Sequence, residues 1–328
     1  MAARPASLRS RRTRTGKAVS QERTHIRILM CTRNGAAFLQ EQLASFLQQD
    51  HSDWSLWVSD DNSTDGTLQI LQRFAAAHPE REIRLLHGPE QGAAQNYLSL
   101  LCHPDLPGTH IALSDQDDIW LENKLSRALA VMKTADAGGP VLYAGQSVIT
   151  DAGMRPLSVS SDPQSKPGLR NALVQNLFSG HSSVLNPAAL RLVRQSGRPD
   201  GIPYHDWWIY LLLSGAGAQC LLDSEPVVAW RQHEGNLIGA SRRAGGLRRR
   251  VRVMWSGQYR DWMDHLVAHL RKRDALLTKE ARNLLAGYAA ARAQPGPLRA
   301  LGYARLGLRR QSGPETALFY ALATLGRA

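Results

Sequence analysis

With 328 residues, 43% hydrophobic and 21% charged, the chain has the length of one large domain plus a smaller appendage and the composition of an ordinary folded protein. Three scattered cysteines, Cys31, Cys102 and Cys220, make neither a disulfide framework nor a Cys-x-x-Cys zinc site, which suits a reducing compartment. The net charge of +12 is unevenly placed: 1–24 and 241–260 each hold 7 basic side chains against 1 and 0 acidic ones, while 25–240 carries a net −7, which argues against a nucleic-acid enzyme because such enzymes line the working surface with Lys and Arg.

Residues 1–24 are rich in Arg, Ser, Thr and Ala without apolar periodicity and read as a disordered basic arm. No apolar h-region follows, so no secretory signal is expected, and no run approaches the roughly 20 apolar residues of a bilayer span. Ile26–Cys31 predicts a strand closed by the turn signal Arg33-Asn34-Gly35, after which Phe38, Leu39, Leu43, Phe46 and Leu47 recur at helical spacing. Trp54–Ser59 is the next strand, ended by the polar run from Asp60 to Gly66; Leu68, Ile70, Leu71 and Phe74 mark a helix. A strand at Ile83–Leu86, a loop at Gly88–Gly92 and a helix at Ala93–Leu101 follow, and strand Ile111–Leu113 runs into Ser114-Asp115-Gln116-Asp117-Asp118. This alternation predicts an α/β fold, a Rossmann-like, mostly parallel sheet with helices on both faces. Val141–Thr150, interrupted by Gly145, leaves the regular winding, and beyond about residue 240 only helices are expected. The expected divisions are an arm at 1–24, a catalytic domain at 25–240 and a basic helical tail at 241–328.

Ligands of open α/β sheets sit at the carboxyl ends of strands. Asp60-Asp61 and Asp115-x-Asp117 both fall there. One such cluster is readily a turn or helix cap; two in successive strand–helix units point to a ligand site. Paired carboxylates suit a hard divalent cation, Mg²⁺ or Mn²⁺, held against substrate phosphates. Neither Gly-x-Gly-x-x-Gly nor Gly-x-x-x-x-Gly-Lys-Ser/Thr is present, which argues against dinucleotide and P-loop sites and leaves a nucleoside diphosphate bridged by metal. Asp206, at the start of an apolar helix, suits either a carboxylate base or a helix cap ahead of two core tryptophans.

Six segments in order resemble the GT-A glycosyltransferases, specifically the inverting family 2 enzymes and their rhamnosyltransferase-like branch, over roughly residues 25–240. They are Cys31-Thr32-Arg33-Asn34-Gly35, the run Ser59–Thr67, the run Gly88–Asn96, Ser114–Trp120, His205-Asp206-Trp207-Trp208 and the run Arg231–Asn236. The resemblance implies that Thr32, Asp60, Asp61, Asn96, Asp115 and Gly180 bind the nucleotide sugar, that Asp117 and His233 hold the metal, and that Asp206 is the catalytic base. Many relatives have an arginine where this chain has Gln95, which leaves Arg33 or Arg231 as substitutes toward the diphosphate. The implied reaction moves a sugar, L-rhamnose from dTDP-L-rhamnose or else one from a UDP-sugar, to a glycan or lipid-linked hydroxyl in bacterial surface polysaccharide synthesis. A non-catalytic nucleotide- or membrane-binding scaffold on the same fold is the rival reading.

Leu247, Val251, Met254 and Trp255 share a helical face opposite Arg248, Arg249, Arg250 and Arg252, and Trp262, Met263, Leu266, Val267 and Leu270 continue an apolar stripe. Two readings stand for this tail: an amphipathic helix on an anionic membrane, or a stripe packed on the catalytic domain with solvated arginines. The expected place is cytoplasmic, peripheral at the inner face of the cell membrane.

Overall fold

The computed structural model describes residues 24–135, 138–160, 166–233, 253 and 255–327. Strand β1 (Ile26–Thr32), helix α1 (Leu39–Leu47), β2 (Trp54–Asp60), α2 (Thr67–Ala77), β3 (Ile83–His87), α3 (Ala93–Leu101) and β4 (His110–Ser114) form the regular winding. The next elements are β5 (Ile119–Trp120), α4 (Lys124–Met132), β6 (Val141–Thr150), β7 (Pro156–Val159), α5 (Leu169–Ala172), a 3-10 turn at Gly180–Ser182, β8 (Ser183–Leu185), α6 (Pro187–Ser196), α7 (His205–Gly215) and β9 (Gln219–Arg231). Four longer helices close the described chain: α8 (Gln258–Arg271), α9 (Lys279–Arg292), α10 (Gly296–Arg305) and α11 (Gly313–Thr324).

The sheet runs β3-β2-β1-β4-β8-β6-β9-β5, with β7 added beside β6. Strands β1 to β4 pair in parallel, as the repeated strand–helix order requires, and β6 pairs β9 in parallel along a ladder with register shifts near Gln146. The pairings β4–β8, β6–β8, β6–β7 and β5–β9 are antiparallel, so the sheet is mixed, with its longest ladders parallel. Every residue of β1 and β2 is buried, the mark of central parallel strands covered on both faces.

Side chains of β1 alternate between two cores. Ile26, Ile28 and Met30 join Phe46, Val58 and Trp120 beneath α1, α2 and α4, whereas Leu29 and Cys31 face Leu98, Leu113 and Leu211. The second core extends without a break into the C-terminal helices: Met263, Leu266, Val267 and Leu270 of α8, Tyr288 of α9, Tyr303 of α10 and Phe319 of α11 all belong to it. The stripe from Met263 to Leu270 therefore packs on the protein's own core. Leu247, Arg248, Arg249, Arg250, Val251, Arg252 and Met254, and the expected division at 240/241, lie outside the described residues, as does the basic arm.

The parallel registers align the strand ends that matter. Thr32 lies beside Asp60, Asp60 beside His87, and Met30 beside Ser114. Chain order reverses direction between β1 and β4, which opens a crevice at their carboxyl ends, the place where open α/β sheets take ligands.

Candidate active site

At the end of β1 the Thr32 hydroxyl donates to Asp60 Oδ2 across 2.7 Å, and the Ser63 hydroxyl and amide donate to the same carboxylate at 2.7 and 2.8 Å. Asp61 is buried and accepts from the amides of Glu90 at 2.6 Å and Gly92 at 3.2 Å, so it ties the loop after β3 to the end of β2. Asn96 is also committed: its side chain accepts from the Ser59 hydroxyl and donates to the Ser59 carbonyl. Asp61 and Asn96 thus shape the wall of the crevice through backbone contacts. Gln95 turns away from the crevice and donates to the Pro199 carbonyl at 2.7 Å.

The turn after β4 gathers the acidic groups. Gln116 clamps it to the β1–α1 turn, accepting from the Arg33 amide at 2.9 Å and donating to the Arg33 carbonyl at 3.0 Å. Gly35 is needed for that approach, because a Cβ there would lie 2.3 Å from Gln116 Oε1. Asp115 accepts from the Tyr97 hydroxyl at 2.8 Å and stands 3.9 Å from His181 Nδ1. Burial, with the Asp117 charge beside it, pushes the Asp115 carboxyl up to about 7. Asp117 Oδ2 meets His233 Nε2 at 2.8 Å, joining the β4–β5 turn to the residues just after β9.

Asp118 lies deeper. Its Oδ1 accepts from the Arg231 amide at 3.1 Å, and its Oδ2 is a buried oxygen with no hydrogen-bond partner among the described residues. Burial raises its carboxyl well above the usual range. Below it Lys124 is wholly buried, 2.5 Å from the His181 carbonyl and 3.4 Å from the centre of the Trp120 ring. Burial draws the Lys124 amine well below the usual lysine range, against the pull of Asp118 and Asp115. Arg231 is a strut: its guanidinium donates to the Asp117 and Ala152 carbonyls, pairs with Glu41 and covers the Phe38 ring. A guanidinium so engaged is poorly placed to serve a diphosphate. Arg33 keeps an exposed side chain.

Asp206 stands in the first turn of α7, whose cap is Tyr204, so it is not the helix cap. Its Oδ2 accepts from the Gly180 amide at 3.0 Å and its Oδ1 from the Trp207 amide at 2.7 Å. Burial lifts its carboxyl to about 6, with the Gly180 and Trp207 amides and Asn176 holding it down. The Asp206 charge helps to raise the Asp115 carboxyl. Gly180 is obligatory here, because a Cβ would lie 2.6 Å from His205 Nε2. His205 stacks on Tyr97 with ring centres 3.8 Å apart, and Tyr97 in turn holds Asp115. Trp207 and Trp208 are core residues, the former donating to the Ala172 carbonyl, so neither walls a sugar site.

The signature of glycosyl transferase family 2 matches residues 27–181, the span that runs from β1 to the 3-10 turn and includes both acidic clusters. That span identifies a family 2 glycosyltransferase region within the chain. Over 221 residues this glycosyltransferase is 28% identical to dTDP-rhamnosyl transferase RfbG of Shigella flexneri, covering 65% of this chain and 74% of that one. Over 108 residues it is 32% identical to the Escherichia coli UDP-Glc:alpha-D-GlcNAc-diphosphoundecaprenol beta-1,3-glucosyltransferase WfgD, covering 33% of this chain and 40% of WfgD. Its fold is similar to that of the mannosyltransferase PcManGT of Pyrobaculum calidifontis, solved with GDP-Man and Mn²⁺, at TM-score 0.51 and 20% identity, with 94% of this chain and 88% of the other covered. The GT-A fold expected from the sequence is the fold present.

The family 2 region implies a divalent cation, and the residues fit one. Asp115, Asp118 and His181 each offer a ligand atom, all within 4.8 Å of one another, and Asp118 Oδ2 is unpaired among the described residues. Carboxylate oxygens with a single imidazole suit Mg²⁺ or Mn²⁺. The sequence reading marked Asp117 and His233 instead, and these two touch. The sets differ in access: Asp118 and His181 of the first are buried, with only Asp115 open to solvent, whereas Asp117 and His233 are each 18% exposed. Sequence reasoning gave no role to Asp118, Tyr97 or Lys124. Asp118 was legible as the third acid of its run, but nothing local marks a lysine that will be wholly buried.

Proposed function

We propose that this protein is an inverting, metal-dependent glycosyltransferase that moves L-rhamnose from dTDP-L-rhamnose to a hydroxyl of a lipid-linked glycan during bacterial surface polysaccharide synthesis, at the inner face of the membrane. The observation that carries the reading is Asp206: a half-buried carboxylate, raised to about 6 and oriented by two backbone amides. A general base works best with a pKa near the operating pH, and a fixed carboxylate can take the acceptor's proton as its oxygen attacks the anomeric carbon. Thr32 and Asp60 line the nucleoside end, with Asp61 and Asn96 holding that wall in shape. Gly180 supplies an amide to the base and lets His205 pack close beside it.

Asp117 and His233, with Asp115 beside them, would hold Mg²⁺ or Mn²⁺. When bound, the ion supplies positive charge to the leaving nucleoside diphosphate. The choice of sugar is supported by the similarity to RfbG, a dTDP-rhamnosyl transferase, while WfgD, a UDP-Glc enzyme acting on a diphosphoundecaprenol-linked sugar, supports the lipid-linked acceptor. The divisions 1–24, 25–240 and 241–328 are kept as functional regions, with the last contributing core to the catalytic part.

Calorimetric titration with dTDP-L-rhamnose and a panel of UDP- and GDP-sugars, in Mn²⁺ and in chelator, tests this. The expected result is metal-dependent binding of dTDP-L-rhamnose alone, lost in Asp117→Ala. Binding of a UDP-sugar instead moves the donor assignment to that class, and binding of no donor favours a scaffold.

A further inference from the structure

We propose that the outward faces of α10 and α11 form the surface by which this protein lies on an anionic lipid membrane. The inference rests on the membrane-side part of the reading above, but not on the donor, the acceptor or the reaction.

Helix α11 is apolar on both sides. Phe319, Leu322 and Ala323 face the core, while Ala317, Leu318, Ala321 and, just past its end, Leu325 face outward. Leu325 is 61% exposed, and Leu298 and Leu301 on α10 are 53% and 45% exposed. The two helices run antiparallel and touch: a Cβ on Gly296, at the start of α10, would lie 1.8 Å from the Thr324 carbonyl at the end of α11. Leu298 and Leu325 are thereby brought to the same end of the pair. Five of the eight exposed large apolar side chains among the described residues lie between Trp255 and Leu325. Clustered exposed apolar groups of this kind mark an interaction surface, whereas single ones do not.

Charge identifies the partner. Residues 293–327 contain five arginines and one acid, Glu315, which stands 3.8 Å from Arg310. Arg305 and Arg309 are exposed, and Arg327 lies over the half-exposed Trp255 with its guanidinium carbon 5.5 Å from the ring centre. An apolar face rimmed by arginine and tryptophan suits a surface of anionic headgroups, into which such a helix settles in the plane of the interface. At 12 residues α11 is about 18 Å long, and no described helix is long and apolar enough to cross a bilayer. A second copy is a poorer occupant, since a two-fold contact would bring both sets of arginines together. The chain's own basic stretches, 1–24 and 241–260, carry the same sign and do not complement the face.

Of the apolar stripe that the sequence offered for membrane contact, Met263 to Leu270 is buried, while Leu247, Val251 and Met254 lie outside the described residues. The proposed surface is on the last two helices, whose outward leucines look in the sequence like ordinary core positions.

The test uses the full chain and co-sedimentation with vesicles of phosphatidylglycerol and phosphatidylethanolamine, or of phosphatidylcholine alone. The double variants Leu318→Ser with Leu325→Ser, and Arg305→Glu with Arg309→Glu, change only outward side chains; thermal melts check their folding. The expected result is binding to the anionic vesicles alone, weakened at least about tenfold in each double variant, with donor binding unchanged. Should the leucine pair fail to fold, the arginine pair decides alone. Equal binding to phosphatidylcholine, or undiminished binding by the folded variants, overturns the proposal. So does a parent dimer that the leucine variant converts to monomer without any vesicle binding, which assigns the face to a second copy. Vesicle binding without donor binding leaves this surface standing and removes the glycosyl-transfer reading.

Discussion

Two carboxylates in this protein, the half-buried Asp206 and the buried Asp118, have surroundings that prepare them for different work. Asp206 receives two backbone amides and the Asn176 side chain, and these hold its carboxyl near 6 against the burial that raises it. Asp118 is raised by its burial and by the charges of Asp115 and Asp117, opposed by the Arg231 amide and Lys124. Of these two, Asp206 is the one raised to a value near 6, where it changes protonation just below neutral pH. Its carboxylate is the form that accepts a proton, so protonation removes activity. Initial rates should therefore rise with pH through a midpoint near 6, and Asp206→Asn should lower kcat by about 10²- to 10⁴-fold and abolish that limb while leaving donor affinity intact. A parent profile flat between pH 5 and 7.5, or an Asn variant with unchanged kcat, would remove Asp206 from the chemistry.

At the scale of elements, the site is held by connections between pieces distant in the chain. Gln116 clips the turn after β4 to the turn after β1, Arg231 braces β9 against α1 and the acidic turn, and His205 on α7 stacks on Tyr97 of α3. Helix α7 is the keystone of this arrangement: it carries Asp206 on its first turn and packs its apolar length between α3 and α8. Leu266 of α8 is fully buried in that core. Leu266→Ala should cost about 2–5 kcal/mol, read as a lower urea midpoint with the slope unchanged. A loss under about 0.5 kcal/mol would mean that α8 is an appendage and not part of the core.

At the scale of the molecule, the helices after residue 257 complete the fold. One core runs from β1 through α7 into α8, α9, α10 and α11, so a chain cut before Gln258 leaves the outer face of α7 bare. Removal of 258–328 should give aggregated protein on size-exclusion chromatography, because the exposed face would be large and apolar. A monodisperse, cooperatively melting 1–257 fragment would contradict that view. Mixed charge has a whole-molecule reading too: along the sequence the central 25–240 is acidic, and the positive charge is concentrated toward the two ends.

The sequence by itself determined strands β1 to β4, the helices between them and the crevice at their ends, but not β5, β7, β8 or β9. Short apolar runs and the turn residues that end them are local signals, so β1, β2 and β4 and the acidic clusters at their ends were legible before any tertiary contact was known. α3 was read at its observed limits, Ala93–Leu101. What only the tertiary structure decided is how those residues are used. Asp61 and Asn96 were read as donor contacts and are occupied with backbone and Ser59; Arg231 was read as a phosphate helper and is a buried strut; the tryptophans after Asp206 are core. The meeting of Asp117 with His233 joins residues 116 apart in the chain, and the ion pair of Arg231 with Glu41 joins residues 190 apart. The physical reason is the same in each case. A polar side chain's role depends on which distant backbone or charge reaches it first, and burial decides its protonation, neither of which a local pattern encodes.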